Sequence, residues 1–250
     1  MQTPPDTKNV FLRILYLEFR KLIDTRASRW VLGSLGVLAL TVAALAALAF
    51  SSDGTMTFEY VIGAMQSAMA LAMAVIGIMG MTGDWTHRVT TNYYPLVRSR
   101  TLIYAAKICA TLLMSGALLG LLFLATLSIL GIFSVSRGQQ VSLSGLGEGM
   151  AVAGFVTLLA TVFGIGVASI VRRLALSLVL VVLLSVGINS VALTVLPEIL
   201  APVFSTLTPL ILISPPEGES VEGWQMIGSL VLWYIVPLFA GWKIAQRVEA

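Results

Sequence analysis

Charge is what this sequence has least of. Asp, Glu, Lys and Arg make up 11% of its 250 residues, where a typical soluble domain carries about 25%. With 58% hydrophobic residues and a mean hydropathy of +0.95, the chain has too few polar groups to cover a water-facing surface. It reads as an integral membrane protein. Cysteine is nearly missing as well. Cys109 stands alone in an apolar run, which excludes an internal disulfide and a cysteine-rich metal site. Histidine occurs once, as His87, outside the apolar runs, so no His–Ser pair lies in the membrane for an intramembrane protease. Neither an HExxH zinc signature nor a GxxxxGK[ST] phosphate loop is present. No Asp, Glu, Lys or Arg falls near the middle of an apolar run, where ion- and proton-coupled carriers keep ionisable residues. No enzyme chemistry, no metal and no cofactor of its own is expected of this chain.

What is present is a series of long apolar runs. They cover about 31–50, 60–81, 108–133, 150–171, 174–196 and 224–242, and roughly 20 residues suffice to cross a 30 Å hydrocarbon core. The expected fold class is all-α: six transmembrane helices in a single domain spanning residues 1–250. Orientation follows from the Lys and Arg tally. The segments before the first run, between the second and third, between the fourth and fifth, and after the sixth hold 14 of the 15 basic residues. Only Arg137 lies in the other connections. Positive residues concentrate on the cytoplasmic side, so both termini are expected there. A further apolar stretch, 197–213, is short and holds Pro197, Pro202 and Pro209. Counting it as a seventh span would push Lys243 and Arg247 outside, so it is expected to be re-entrant or to lie as surface helices between spans five and six.

Residues 8–29 form an amphipathic pattern, with Phe11, Leu15, Phe19 and Leu22 at helical spacing and Arg13, Arg20 and Asp24 on another face. Such a helix lies in the headgroup region or caps the bundle as a solvated helix. The same charge, with no small-residue cleavage site behind it, argues against a cleaved signal peptide. Within the spans, Gly116 and Gly120 form a GxxxG pair, and Gly33/Gly36 and Gly164/Gly166 are further small-residue positions. Met65, Met69 and Met73, beside Gln66, form a stripe on the second span that either lines a permissive substrate path or packs as core. Asn189 with Ser190 is the most polar pair expected to be buried, either against a neighbouring helix or against substrate.

The longest polar island is 83–107, GDWTHRVTTNYYPLVRSRTLIYAAK, with Asp84, His87, Arg88, Arg98, Arg100 and Lys107 between two apolar runs. The island, its flanks and the six-span layout together resemble the membrane subunit of a type-2 ABC transporter. The resemblance covers essentially the whole chain. It rests on the approach Leu17-Glu18-Phe19-Arg20-Lys21-Leu22-Ile23-Asp24-Thr25-Arg26, on the island, and on the long outer segment between spans five and six. In that family the approach is a membrane-surface connecting helix, matched here by 8–29 with Glu18, Arg20, Lys21 and Arg26. The family's loop carries an acidic residue, Gly-Thr, then Pro and Arg shortly before a Lys that opens the third span. Asp84, Thr90, Pro95, Arg98 or Arg100, and Lys107 stand in that order, with Val89 in place of the glycine and Asp84 in place of the usual Glu.

The resemblance implies a permease energised by a separate ATPase, present in two copies and holding the ATP and Mg. It also implies a second permease, identical or related, the surrounding membrane lipid as partner, and no nucleic acid. A pump without a nucleotide site must be pushed through an element tied to its spans. A short helix over about 83–94 suits, with Trp85 as anchor and Asp84, His87 and Arg88 as polar contacts, ended by Pro95. Arg98 and Arg100 either pair with acidic or phosphate groups or simply fix topology. Arg172 and Arg173, in the turn between spans four and five, form a smaller second contact or likewise fix topology. Export of a hydrophobic or amphipathic compound (drug, peptide or lipid-like) across a bacterial cytoplasmic membrane is the expectation. An ATP-independent channel or carrier, and a non-transport scaffold or immunity factor of the same fold, remain open.

Overall fold

The computed structural model describes residues 7–24, 26–49, 56–86, 100–137, 141–142, 145–197, 199–206, 208–209 and 221–247. Nearly all of them are helical. Helix α1 spans Thr7–Asp24, α2 Arg26–Ala49, α3 Phe58–Thr86, α4 Arg100–Arg137 and α5 Leu146–Val171. Helix α6 covers 174–195 as Leu174–Val182, a π turn Leu183–Ile188 and Asn189–Val195. The one-turn helix α7 is Ala201–Phe204, and α8 covers Gly223–Arg247 with a π turn at Val231–Ile235. Two short strands, β1 (Met56–Thr57) and β2 (Val141–Ser142), pair in parallel.

By length and composition, three helical stretches can cross a membrane: Thr101–Ser136, Leu146–Val171 and Gly223–Arg247. Val10–Asp24 with Arg29–Leu45, bent by 71°, makes a fourth if the pair is one span. The apolar parts Met69–Gly83 of α3 and Leu174–Ile188 of α6 are shorter. The protein is therefore membrane-embedded and α-helical. Its helices outrun the apolar runs that mark them in sequence. At 1.5 Å per residue, the 38 residues of α4 reach about 57 Å, well beyond a 30 Å hydrocarbon core. Once nucleated, a helix extends at little cost through residues such as Arg100 and Thr101, because each added residue makes its own backbone hydrogen bond.

Between apolar helices in lipid there is no hydrophobic drive, so close backbone approach and van der Waals packing hold the bundle. The contact between α3 and α5 shows this most clearly. A Cβ placed on Gly77 would overlap the Thr161 carbonyl, and one on Gly164 would overlap the Ala74 carbonyl. Gly80 of α3 sits equally close to the Thr111 side chain of α4, and Gly166 of α5 receives Pro237 of α8. Around these contacts lie two apolar clusters. One joins Ala39 and Ala43 of α2, Met69 and Met73 of α3, Leu130 of α4 and Ala153 of α5. The other joins Ile78, Phe163, Ile165, Val181 and Tyr234 from α3, α5, α6 and α8.

The packing also sorts the helix ends. Pairing of β1 with β2 brings the start of α3 to the connection between α4 and α5. At the opposite end, Tyr104 near the start of α4 meets Ser169 near the end of α5 and Gly241 near the end of α8. Arg100, Lys107, Arg172, Arg173, Lys243 and Arg247 are all within a few residues of that second meeting point in sequence. The buried α2 residues of the first cluster, Ala39 and Ala43, lie in its second half, and Leu32 and Leu35 of its first half pack against the same cluster.

Candidate functional site

Two constellations stand out, one at each end of the bundle. At the basic end, the polar island is shorter than the sequence suggests. Helix α3 runs unbroken through Asp84 and Trp85 to Thr86, and α4 begins at Arg100. Gly83–Thr86 thus closes one long helix and Arg100–Lys107 opens another, so a helix set apart over 83–94 is not what its first four residues form. His87, Arg88, Thr90, Pro95 and Arg98 lie outside the described residues, as do the side chains of Asp84, Trp85 and Arg100. Behind the island, the Tyr104 hydroxyl donates to the Leu238 carbonyl at 3.0 Å, and Ser169 donates to the Gly166 carbonyl at 2.8 Å. Gly241 packs directly on Ser169 and Tyr104. This node ties the first turns of α4 to α5 and α8. Next to it, Lys243 lies over the Phe239 ring at 4.9 Å, and Phe239 contacts Trp242 at 5.4 Å between centroids.

Arg172 and Arg173 form the whole link between α5 and α6. Arg172 takes the left-handed conformation, φ 58° and ψ 12°, while its N–H caps α5 by donating to the Ala168 carbonyl at 2.9 Å. A left-handed arginine is uncommon and costs about 1–2 kcal/mol relative to glycine. Arg173 is exposed. On α1, Glu18 bonds Lys21 at 2.8 Å and Asp24 bonds Arg20 at 2.8 Å. Asp24, by hydrogen bond and then by charge, raises the Arg20 guanidinium above its ordinary pKa. Arg26 is exposed at the elbow with α2.

The far end carries a constellation that the sequence reading placed only in outline. The segment 197–209 folds back against α8, and α8 supplies a hydrogen-bond donor to four of its carbonyls. Gln225 Nε2 donates to Ile199 O at 2.9 Å, and Ser229 Oγ donates to Ser205 O at 2.7 Å. Trp233 Nε1 reaches Phe204 O at 3.2 Å, and the Tyr234 hydroxyl reaches Thr206 O at 3.0 Å. Val203 packs on Gly228, and Phe163 meets the rings of Trp233 and Tyr234 edge-on. Non-helical backbone at membrane depth survives only when its carbonyls are satisfied by protein, and this latch does so. The π turn of α8 sits at the latch and has a cause. Pro237 has no N–H and its ring crowds the carbonyl four residues back; the Val236 N–H instead bonds the Val231 carbonyl, five residues back. The signal for the latch was in the sequence. Gln225, Ser229 and Trp233 recur at i, i+4 and i+8 opposite a proline-rich stretch.

The remaining expected site residues scatter. Met69 and Met73 are 1% and 0% exposed in the apolar cluster between α2, α3 and α4. The side chains of Met65, Gln66 and Asn189 lie outside those described. Ser190 is exposed and satisfied by the Val186 carbonyl of its own helix at 2.8 Å, so the Asn189–Ser190 pair is not buried as a unit. The π turn just before it rotates the following residues about 100° relative to a regular helix. Gly33, Gly36, Gly116 and Gly120 have open space where a Cβ would stand, whereas Gly164 and Gly166 are in close contact. Among the described residues, no three His, Cys, Asp or Glu side chains come together as metal ligands. No protein-family model matches the chain, and no curated protein matches it.

Proposed function

We propose that this chain is the permease subunit of an ATP-driven transporter of the type-2 ABC class, with six spans and both termini in the cytoplasm. In this reading the basic end faces the cytoplasm, where an ATPase, in two copies, docks on the island and supplies ATP and Mg. A second permease completes the pathway. The cargo is a hydrophobic or amphipathic compound moved outward from a bacterial cytoplasmic membrane.

The observation that carries the reading is how the island is mounted. Both helices that bracket it, α3 and α4, run without a break into the packed core. There α3 touches α5 backbone to backbone at Gly77 and Gly164, and α4 is tied to α5 and α8 through Tyr104. A displacement of the island is therefore delivered to α5 and α8 and, along α8, to the latched segment 197–209. Interdigitated backbones move as rigid bodies rather than deform, as coupling requires. Trp85, Arg88 and Arg98 are assigned to the ATPase contact, with Asp84, His87, Thr90, Pro95 and Arg100 shaping it and Arg172 and Arg173 as a second contact. A cargo path along Met65, Gln66, Met69, Met73 and Asn189 belongs to a different state of the transporter, since Met69 and Met73 are fully packed in this one.

The test is a mild-detergent pull-down of the wild-type chain against a Trp85→Ala/Arg88→Glu variant. The expected result is an ATP-hydrolysing partner with wild type and its loss with the variant. A partner kept by both moves the contact off the island. Absence of any ATPase in several detergents removes the pump in favour of a channel or a scaffold.

A further inference from the structure

From the exposed surface of α1 and its elbow with α2, we infer a docking surface for anionic glycerophospholipid, with Arg13 taking one phosphate beside the Leu12–Tyr16 edge, which takes the acyl chain, and Arg26 and Arg29 taking another at the elbow. Residues 7–29 hold six basic side chains against two acidic ones, Glu18 and Asp24. Both acids are already committed within α1, to Lys21 and Arg20. Among the described residues Arg13 and Arg26 have no partner, and Arg29 reaches only the neutral Asp24 carbonyl at 3.4 Å. Among the described residues, three guanidiniums therefore stand on the surface without a counter-charge. Guanidinium is suited to phosphate because its N–H groups form a planar fork and it gives up water readily.

Beside these charges runs an apolar edge. Leu12, Tyr16 and Ile23 fall on one side of α1, at i, i+4 and i+11, and all three are exposed. Trp30, just past the elbow, is 80% exposed. An open groove on α1 is lined, among the described residues, by Leu12, Arg13, Tyr16 and Leu17, so cation, hydroxyl and aliphatic groups share one concavity. The bend of 71° between α1 and α2 turns α1 toward the membrane plane if α2 runs along the bilayer normal. An exposed tryptophan and leucine edge beside uncompensated arginines fits the headgroup boundary. A zwitterionic lipid would meet the arginines with its own cation; an anionic one would not. The inference rests on the membrane-embedded reading but needs no ATPase.

The experiment titrates the delipidated wild-type protein, in mild detergent, with phosphatidylglycerol or phosphatidylcholine of identical acyl chains, and counts bound lipid by native mass spectrometry. About 1 kcal/mol per surface arginine corresponds to about fivefold each, so a preference for phosphatidylglycerol of about fivefold at Arg13 and about 25-fold at the elbow pair is expected. Arg13→Gln/Arg26→Gln/Arg29→Gln should bring the two lipids to within a few-fold. The triple Lys variant should retain most of the preference, and Arg137→Gln, at the opposite end, should leave it unchanged. Equal binding of the two lipids by wild type overturns the inference, as does full preference in the triple Gln variant. Should that variant fail to fold, salt decides on wild type: the preference should collapse in about 0.5 M NaCl, and its persistence there rules out exposed arginines as the source. Absence of any ATPase from the wild-type pull-down, with lipid preference intact, counts against the permease reading alone. Loss of the ATPase from the triple Gln variant, when wild type itself binds the two lipids equally, assigns this surface to a protein partner instead.

Discussion

Glycine at 164 and glycine at 116 look alike in the sequence, each inside a long apolar helix, yet the structure gives them opposite roles. A methyl group at 164 would run into the Ala74 backbone carbonyl, an obstacle that no rotamer change removes. Gly164→Ala must push α3 and α5 apart along their whole crossing, and overpacking of this kind costs about 1–3 kcal/mol. At Gly116 nothing lies within 4 Å. There alanine should be neutral or stabilise by up to about 1 kcal/mol, since glycine in a helix interior is the poorer helix former. Thermal unfolding in detergent separates the two, with Gly164→Ala melting several degrees below wild type and Gly116→Ala at or above it. Equal melting temperatures would mean that α3 and α5 do not meet backbone to backbone. Periodicity in one chain segment cannot make this distinction, because it says which residues share a face and not which face finds a neighbour.

At the scale of the element, the segment 197–209 and α8 form one unit. Removing the Tyr234 hydroxyl takes one donor from the Thr206 carbonyl, a loss of about 1 kcal/mol in membrane proteins. Tyr234→Phe should therefore raise amide exchange across 199–206 about fivefold while leaving exchange in α3 and α5 unchanged. A second variant probes the register. Pro237→Ala keeps the Cβ that packs on Gly166 but restores the missing N–H, so α8 can regain regular hydrogen bonding and lose its π turn. Trp233 and Tyr234 would then swing by about 100° relative to Gln225 and Ser229, and the latch would open although the helix itself is better formed. Exchange across 199–206 unchanged in both variants would show that the latch does not hold this segment. The prolines of 197–213 and the charge balance argue against a plain span, and among its described residues the α-helix is the one-turn α7, Ala201–Phe204. The sequence did not reveal the tether, since the donors lie about 25 to 30 residues away, on another helix. Helix ends were misjudged for a related reason. Hydropathy marks the part of a helix that prefers lipid, while the backbone hydrogen bonds of α3 and α4 carry on through Thr86 and from Arg100.

For the whole molecule, packing and charge give the same polarity by independent routes. The Lys and Arg tally alone divides the connections into a basic set and a nearly neutral set. The contacts of Tyr104 with Leu238 and Gly241, and of Gly241 with Ser169, gather three members of the basic set at one end. The pairing of Met56–Thr57 with Val141–Ser142 gathers two members of the other set. Nothing in the strand pairing or the glycine contacts depends on charge, so packing independently sorts these connections into the same two ends, while the assignment of the basic end to the cytoplasm rests on the tally. A Cys109→Ser background carrying single cysteines tests it in intact cells with a membrane-impermeant maleimide. Ser52→Cys and Gln140→Cys, in the two connections that the strands join, should label from outside. Arg247→Cys and Arg173→Cys should label only after the membrane is opened. Labelling of Ser52→Cys without Gln140→Cys would contradict the shared end, a failure of the fold. Labelling of the arginine positions alone would keep the fold and invert the molecule, so that the island 83–107 would face away from any cytosolic ATPase.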